Sequence, residues 1–583
     1  MNIYSDPNES NQSVEIIAKS SNFGVRFRTE PLTLMNSTGK KIRAYLDGPI
    51  DSAKCRGVVI VAPAYGETKE NNLLISAHFA ANDYCGLRFD WTDHVGESDG
   101  DIFTSSLSKM REDLNTVVNF VEKNFHGRQI GVVATSLAAL VALKVVANDP
   151  RPDFLVCFTP VVNLQSTLTM VYREDLVGSF ANGKRYGTLN ILGFGIDADN
   201  FLNDSIQKCF SDISSVEADA RRISAPTFFV IGQRDAWVRT ADAQLVFGMI
   251  NANAKEVLVL PTMLHRLMEN PVSARGALRT TLSFIINART SDKHKIDLIS
   301  EPDERQILTR EMQEKQHLKE IYVYSKSEER QFWKEYLSNF QYIINVHDFY
   351  NLLECVYSRL GGAWPGQKIL DAGCGIGNYG LFLLTKQLYR VQQDLQILSR
   401  PPIRYFGIDF VRSAITDAKL RIRQLLEDYR EKRSTMNGSY RLLESTFVLG
   451  DLDAGIPFPS EFFDQICCNL VLSYLQAPKF ALKEFWRVLR PGGKMVVTSL
   501  KPGADLSEVY RNFVSVAQSQ RELEDGRKLL SNAGMIKIKE IRGLYHFYTE
   551  KDLRDAVREA GFFRPRTLRS FGEQANVIVC SKI

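Results

Sequence analysis

No stretch of this chain approaches the ~20 consecutive apolar residues needed to cross a bilayer. The opening MNIYSDPNESNQSVEII is polar and lacks the basic-then-apolar order of a secretory signal. Both absences argue against a membrane span and against export, and the cytoplasm is the expected location. Cysteine is sparse, with nine residues (Cys55, Cys85, Cys157, Cys209, Cys355, Cys374, Cys467, Cys468 and Cys580), none in C-x-x-C spacing. No metal or disulfide-exchange site is therefore expected, and free thiols are. Charge of one sign is missing too. The 72 Lys and Arg against 68 Asp and Glu leave a net +4 over 583 residues, too little to argue a nucleic-acid surface. There is no internal repeat and no low-complexity tract.

What is there is ordinary globular composition, 44% hydrophobic and 24% charged, over a length that exceeds one core and predicts two large domains. Strand-like apolar runs alternate with longer amphipathic stretches in both halves, the pattern of parallel sheets with crossover helices. The first series runs through GVVIVAPA (57–64), CGLRFD (85–90), QIGVVAT (129–135), FLVCF (154–158), PTFFVIG (226–232) and EVLVLP (256–261). The gap of 160–222 is too long for a plain connection and should have its own structure. The second series runs through QKILDAG (367–373), RYFGIDF (404–410), STFVLGD (445–451), FDQICCNLV (463–471), KMVVTSL (494–500) and NVIVCSK (576–582). The expected organisation is a domain over 1–290 with a cap at about 160–222, a charged linker of exposed helix over 291–340, and a domain over 341–583.

In the second half, the strand QKILDAG runs into DAGCGIGNYG and then into an apolar helix start. Gly373, Gly375 and Gly377 let the backbone turn sharply and approach a bound nucleoside. Gly375, Gly377 and Gly380 also satisfy the G-x-G-x-x-G of a dinucleotide site, a short and weak pattern. Carboxylates favour S-adenosyl-L-methionine instead. Asp371, just before the glycines, suits an ammonium and a sulfonium and would repel a pyrophosphate. Asp409 closes the next strand, placed for two ribose hydroxyls, and Asp451 closes the third, placed for an adenine amino group. With DAGCGIG and FWRVLRPGG in this order, residues from about 340 to 583 resemble the class I methyltransferases. The resemblance implies a Rossmann-like seven-stranded sheet whose last strand is antiparallel, and cofactor contacts from Asp371, Gly373, Gly375, Asp409, Asp451 and Leu452. Asn469, also counted with the cofactor set, and Tyr474 stand where that family often places residues facing a small-molecule methyl acceptor; a structural role explains them as well. The insert of 503–548 is expected to be a lid or part of the acceptor pocket.

In the first half, Ser136 of GVVATSLAALVAL sits between a buried strand and an apolar helix. A nucleophile elbow needs small residues two before and two after its serine. Ala134 and Ala138 meet that demand in place of the usual glycines. A serine at a helix start is more often an N-cap, but Asp235 and His265 follow two later strands, in the chain order Ser, Asp, His of α/β-hydrolases. His265 would then take the Ser136 proton, Asp235 would orient the imidazole, and the amides of Leu137 and Tyr65 would face the oxyanion. His94, in DWTDHVGESDG, is read as structural.

The segments LRFDWTDHVGESDG, IGVVATSLAALVAL, VVNLQSTL, RDAWV and LHRLMEN, with the tail IDLISEPDERQILTREMQEKQHLKEI, resemble the acyl transferases of the bacterial luciferase pathway, thioesterases acting on acyl carrier protein. That family also flanks its serine with alanine, and its triad falls on Ser136, Asp235 and His265. The resemblance implies an α/β-hydrolase fold and an acyl carrier protein or coenzyme A thioester as partner. Phe180, Tyr186, Phe194, Phe201 and Phe210 would line an acyl channel under the cap; core packing explains them equally well. Together the halves point to a bifunctional enzyme of lipid or polyketide-type secondary metabolism that processes an acyl thioester and methylates an acyl-derived small molecule. The alternative is a methyltransferase alone, with the first half a non-catalytic docking module for an acyl carrier.

Overall fold

The computed structural model describes residues 24–288, 299–431 and 442–583; the start of the expected linker and the opening peptide lie outside them. The first half is built on β1 (Phe27–Met35), β2 (Lys41–Pro49), β3 (Gly57–Ala62), β4 (Tyr84–Phe89), β5 (Gln129–Thr135) and β6 (Phe154–Phe158). After a hairpin of β7 (Thr188–Ile191) and β8 (Phe194–Asp197), it closes with β9 (Thr227–Gly232) and β10 (Lys255–Leu260). The sheet order is β1-β2-β4-β3-β5-β6-β9-β10, antiparallel at β1–β2 and β2–β4 and parallel beyond. Every residue of β3 and β6 is buried, as parallel strands covered by helices on both faces require. This is an α/β-hydrolase fold.

Its cap carries four short helices, Leu164–Tyr172, Leu176–Ala181, Ala198–Gln207 and Ile213–Ala220. Each starts on an Asx side chain that accepts a backbone amide, from Asn163, Asp175, Asp197 and Asp212. Such caps are worth about 1 kcal/mol apiece. The β7–β8 hairpin is an addition to the sequence reading; its strands are only four residues each.

The second half holds β11 (Lys368–Ala372), β12 (Ile403–Asp409), β13 (Leu443–Leu449), β14 (Phe463–Asn469), β15 (Leu489–Leu500), β16 (Phe563–Ser570) and β17 (Ala575–Ser581). They run in the order β13-β12-β11-β14-β15-β17-β16. The first five are parallel, and β17 is antiparallel to both neighbours, the Rossmann-like sheet of a methyltransferase. β16, FRPRTLRS, is the strand that periodicity misses, because this half-exposed edge strand buries no face. The chain leaves β11 for one side of the sheet and returns to the other at β14. Ligands bind beyond the carboxyl ends of the strands at such a reversal.

The charged stretch between the halves is helical and largely exposed, but one face of it docks. Helix Glu304–Ile321 packs on the first sheet. There the buried Glu314 takes Arg88 of β4 by two bonds of 2.6 and 2.9 Å, and Arg88 also donates to Asp47 of β2 at 2.7 Å. Upstream, Ser300 exchanges bonds with Asn82. Composition suggested exposure because the compensating charge sits far away in the chain, on a strand. The next helix, Lys326–Ser338, lies on the second half and lends Trp333, Tyr336 and Leu337 to its cleft. Among the described residues no helix is long and apolar enough to cross a membrane.

Candidate active sites

Ser136 closes β5 with φ 55 and ψ −122, a strained conformation for a residue with a Cβ. Ala134 and Ala138 beside it are fully buried, so larger side chains would collide with the packed turn. The strain is held by tertiary bonds: the Ser136 amide donates to the Phe158 carbonyl at 2.9 Å, and its carbonyl accepts from Ala139 and Val161. Helix Leu137–Asn148 starts at the next residue, where first-turn amides have no intrahelical acceptor. From the turns after β9 and β10, Asp235 and His265 complete a chain of hydrogen bonds. Ser136 Oγ lies 2.8 Å from His265 Nε2, and His265 Nδ1 lies 2.8 Å from Asp235 Oδ2. Asp235 Oδ1 accepts the amides of Trp237 and Val238 at 2.9 and 3.0 Å, which locks the carboxylate toward the ring. Burial alone would push the imidazole pKa down, but the charge and hydrogen bond of Asp235 outweigh it and hold His265 above its ordinary value.

Leu137 and Tyr65 line the same pocket as Ser136 and His265, with Leu164, Leu168, Val171 and Phe201 from the cap side. Of the five cap aromatics only Phe201 lines it. Phe194 stands edge-on to Tyr65 at 6.0 Å, Phe180 and Phe210 belong to the core, and Tyr186 donates to Glu174. His94 is buried against Tyr65 at 5.2 Å, and burial pushes it down to about 3, a neutral packing residue.

The second cleft opens at the strand ends where the sheet reverses. Gly373, Gly375 and Gly377 have φ of 80, 50 and 76. A Cβ on Gly373 would stand 2.4 Å from a Val471 methyl, and one on Gly377 would stand 2.9 Å from Ala418. Asp371 lies at the cleft floor, where the Tyr405 hydroxyl donates to it at 2.6 Å. Asp409 accepts the amides of Gly375 and Val411, each at 2.9 Å, which leaves each oxygen a further lone pair. Burial pushes both carboxyls up to about 6. Asp451 lines the cleft and is ion-paired with Lys326. Leu452, Asn469 and Tyr474 line it too, and both polar side-chain atoms of Asn469 are buried without a partner.

Sequence reasoning missed Tyr405 and Lys326, the partners of two expected ligand carboxylates; nothing in their local pattern marks them. It also missed how the second half braces the first. Asp505 accepts the Arg266 amide at 2.9 Å, Lys501 pairs with Glu269 at 2.9 Å, and Lys537 lines the serine pocket. The insert of helices Ser507–Val516 and Gln520–Ile541 does line the second cleft, but it also touches the cap.

A serine elbow under a helical cap, followed by a glycine loop at a sheet reversal, defines an enzyme fusion, an acyl transferase half joined to a methyltransferase domain. Residues 33–321 match the family profile described as acyl transferase, and residues 370–497 match that of a methyltransferase domain. The first half is 24% identical over 248 residues to an acyl transferase of Photobacterium phosphoreum, covering 42% of this chain and 79% of that protein. It is likewise 24% identical over 288 residues to one of Vibrio campbellii, covering 49% and 93%. Among solved structures it is similar to Est1E of Butyrivibrio proteoclasticus bound to ferulic acid (16% identity, TM-score 0.37, 44% of this chain and 99% of that one). It is also similar to DcsB in complex with a substrate analogue (16%, 0.35, 45% and 99%).

Proposed function

We propose that this chain is a bifunctional enzyme of lipid or polyketide-type metabolism, taking an acyl group from a carrier-protein or coenzyme A thioester at Ser136 and methylating an acyl-derived small molecule in its second half. The observation that carries the first activity is the Ser136–His265–Asp235 chain, two bonds of 2.8 Å joining residues from three separate turns. With Nδ1–H given to Asp235, Nε2 is the acceptor that removes the serine proton as Oγ attacks the thioester carbonyl. The Leu137 and Tyr65 amides would stabilise the oxyanion. His265 then returns the proton to the departing thiolate, and water or another acceptor releases the acyl group by the same route. The assembled triad favours this reading over a docking-only first half.

S-adenosyl-L-methionine fits the second cleft. The glycine loop turns through three positive-φ residues at the cleft mouth and packs too tightly on Val471 for a Cβ at Gly373, and the three carboxylates suit its groups better than a pyrophosphate. When bound, it supplies a methyl group on a positively charged sulfur, already activated for displacement. Asp371 would hold the ammonium, Asp409 the ribose hydroxyls and Asp451 the adenine amino group, with Leu452 packed against the base. The residues around them need chiefly to align the acceptor and exclude water.

Ser136→Ala tests the assignment. It should abolish the acyl-enzyme seen by mass spectrometry with an acyl thioester and slow cleavage by on the order of 10³-fold or more, while S-adenosylhomocysteine still binds in calorimetry. Unchanged thioester cleavage would sink the triad.

A further inference from the structure

The two chambers share a wall. Ile536, in the second helix of the insert, lines the methyltransferase cleft, and its neighbour Lys537 lines the serine pocket. In the first helix, Tyr510 lines the cleft and its hydroxyl donates at 2.8 Å to the carbonyl of Val171, which lines the serine pocket. Arg527 donates to the carbonyl of Tyr172 beside it. At Gly534 the contact is so close that a Cβ would fall 1.9 Å from the carbonyl oxygen of Leu192, another wall residue of the serine pocket. At the Ile536–Lys537 turn a single helix separates the two sites; elsewhere the cap and the insert stand back to back. The partition is apolar on both sides, with Leu168, Val171 and Ile191 of the cap toward the serine and Val509, Phe513 and Leu530 of the insert toward the cleft.

Two further features identify what the cleft can methylate. Among the described residues lining it there is no histidine, and each lining carboxylate has a protein partner, with three of them also assigned to the cofactor. Asp371 takes Tyr405, Asp409 the amides of Gly375 and Val411, Asp451 Lys326, Asp453 the amides of Gln476 and Ala477, and Glu329 both Lys539 and Tyr545. An alcohol or carbon acid would have to lose a proton here without a free base, and an amine would have to arrive neutral; a carboxylate arrives already deprotonated. The unpartnered amide of Asn469 at the end of β14 offers a donor to one oxygen of such an anion and leaves the other oxygen free to react.

We propose that the methyl acceptor is the carboxylate of the acyl chain released at Ser136, so that the chain turns an acyl thioester into an acyl methyl ester. This rests on the bifunctional reading above. At Ser136, thioester and water become carboxylate, thiol and one proton. In the cleft a carboxylate oxygen lone pair forms the new O–CH₃ bond while the methyl–sulfur bond breaks with its electron pair staying on sulfur. No proton moves, and the cationic sulfonium and the anion become two neutral groups. Arg266 and Lys537 line the serine pocket, and Lys537, whose Nζ donates to Glu540 at 2.6 Å, lies on the partition itself.

The test uses the full chain with octanoyl-, dodecanoyl- and hexadecanoyl-coenzyme A, the matching free acids, and S-adenosylmethionine carrying a deuterated methyl group. Wild type should give labelled methyl ester from thioester and from free acid, and Ser136→Ala from free acid only. Asn469→Ala should cleave thioester at the wild-type rate but form ester about tenfold more slowly or worse, the loss expected when one hydrogen bond to a charged group is removed. Without S-adenosylmethionine, a fatty acid with a diazirine near its carboxyl end should crosslink to the 507–541 helices, and less so in Asn469→Ala. Thioester cleavage and S-adenosylhomocysteine binding without methyl ester, or label on carbon, nitrogen or a hydroxyl, would overturn this inference and leave the bifunctional reading standing. Failure of cleavage or of S-adenosylhomocysteine binding would overturn that reading itself.

Discussion

Glu314→Gln asks whether the charged helix after the first domain belongs to that domain's fold. Arg88 is fully buried and Glu314 nearly so, so solvent does not screen the pair and no surface discount applies. The substitution removes one negative charge and half of a bidentate bond. It leaves Asp47 as the one carboxylate on Arg88, against two cations, since Arg310 Nε also donates to Glu314 at 2.6 Å. Breaking a buried pair from one side costs about 3–5 kcal/mol because a charge is left uncompensated. At roughly 2–4 °C per kcal/mol for a domain of this size, the first-half thermal transition should fall by about 6–20 °C. Circular dichroism melts with and without S-adenosylhomocysteine would separate it from the second-half transition, which only that ligand should raise. A shift under about 2 °C in Glu314→Gln, less than 1 kcal/mol, would refute the placement of this helix in the first core.

His265 removes a proton only when neutral, and Asp235 holds its pKa above the ordinary 6.5. Thioester cleavage should therefore be lost as pH falls, with a midpoint above that value. Asp235→Asn should lower the midpoint and cut the rate by on the order of 10⁴-fold, and a wild-type midpoint at or below 6.5 would contradict the charge arrangement. Gly373→Ala adds a Cβ at φ 80 only 2.4 Å from Val471. With about 1–3 kcal/mol of strain, affinity for S-adenosylhomocysteine should drop about tenfold or more in calorimetry while thioester cleavage is unaffected. Asp371, pushed up to about 6, should lose its proton when a ligand ammonium binds beside it, because an adjacent cation favours the carboxylate. Binding near pH 6 should then release protons, detected by calorimetry in buffers of different ionisation enthalpy. Net uptake there would place the ammonium elsewhere.

The hydrogen-bonded chain of Ser136, His265 and Asp235 was legible because each member lies in the turn after a strand, and such turns carry chain-order signals that survive without a structure. The glycine loop was legible for the same reason: Gly373, Gly375 and Gly377 follow a buried strand. What the reading lacked were partners distant in sequence. Tyr405 reads as one more apolar residue of β12 until it is seen to donate to Asp371, and Lys326 as linker charge until it meets Asp451. The linker misread has the same origin, since Glu314 looks solvated in the helix ERQILTREMQEKQHLKEI and its neutraliser is 226 positions away. Periodicity finds faces that bury apolar groups, so it missed β16, whose arginine-rich edge buries none.

The insert of 503–548 bears most directly on why the halves share a chain. A lid serving only its own cleft would need apolar residues on one face and solvated ones on the other. Instead its second helix sets Ile536 to one chamber and Lys537 to the next, and its first helix ties itself to the cap through Tyr510. Upstream, Asp505 and Lys501 hold the turn that carries His265, through Arg266 and Glu269. These contacts tie the turn that carries His265 to the methyltransferase half, beyond the raised local concentration that any tether provides. A first half severed between Ile321 and Lys326 would keep Ser136, Asp235 and the helix holding Arg88, yet lose the brace on the His265 turn. Its thioester cleavage should fall more than its melting temperature does, and adding the separate second half should restore it in proportion to binding. Full activity in the isolated first half would show that the brace is packing without consequence for the triad.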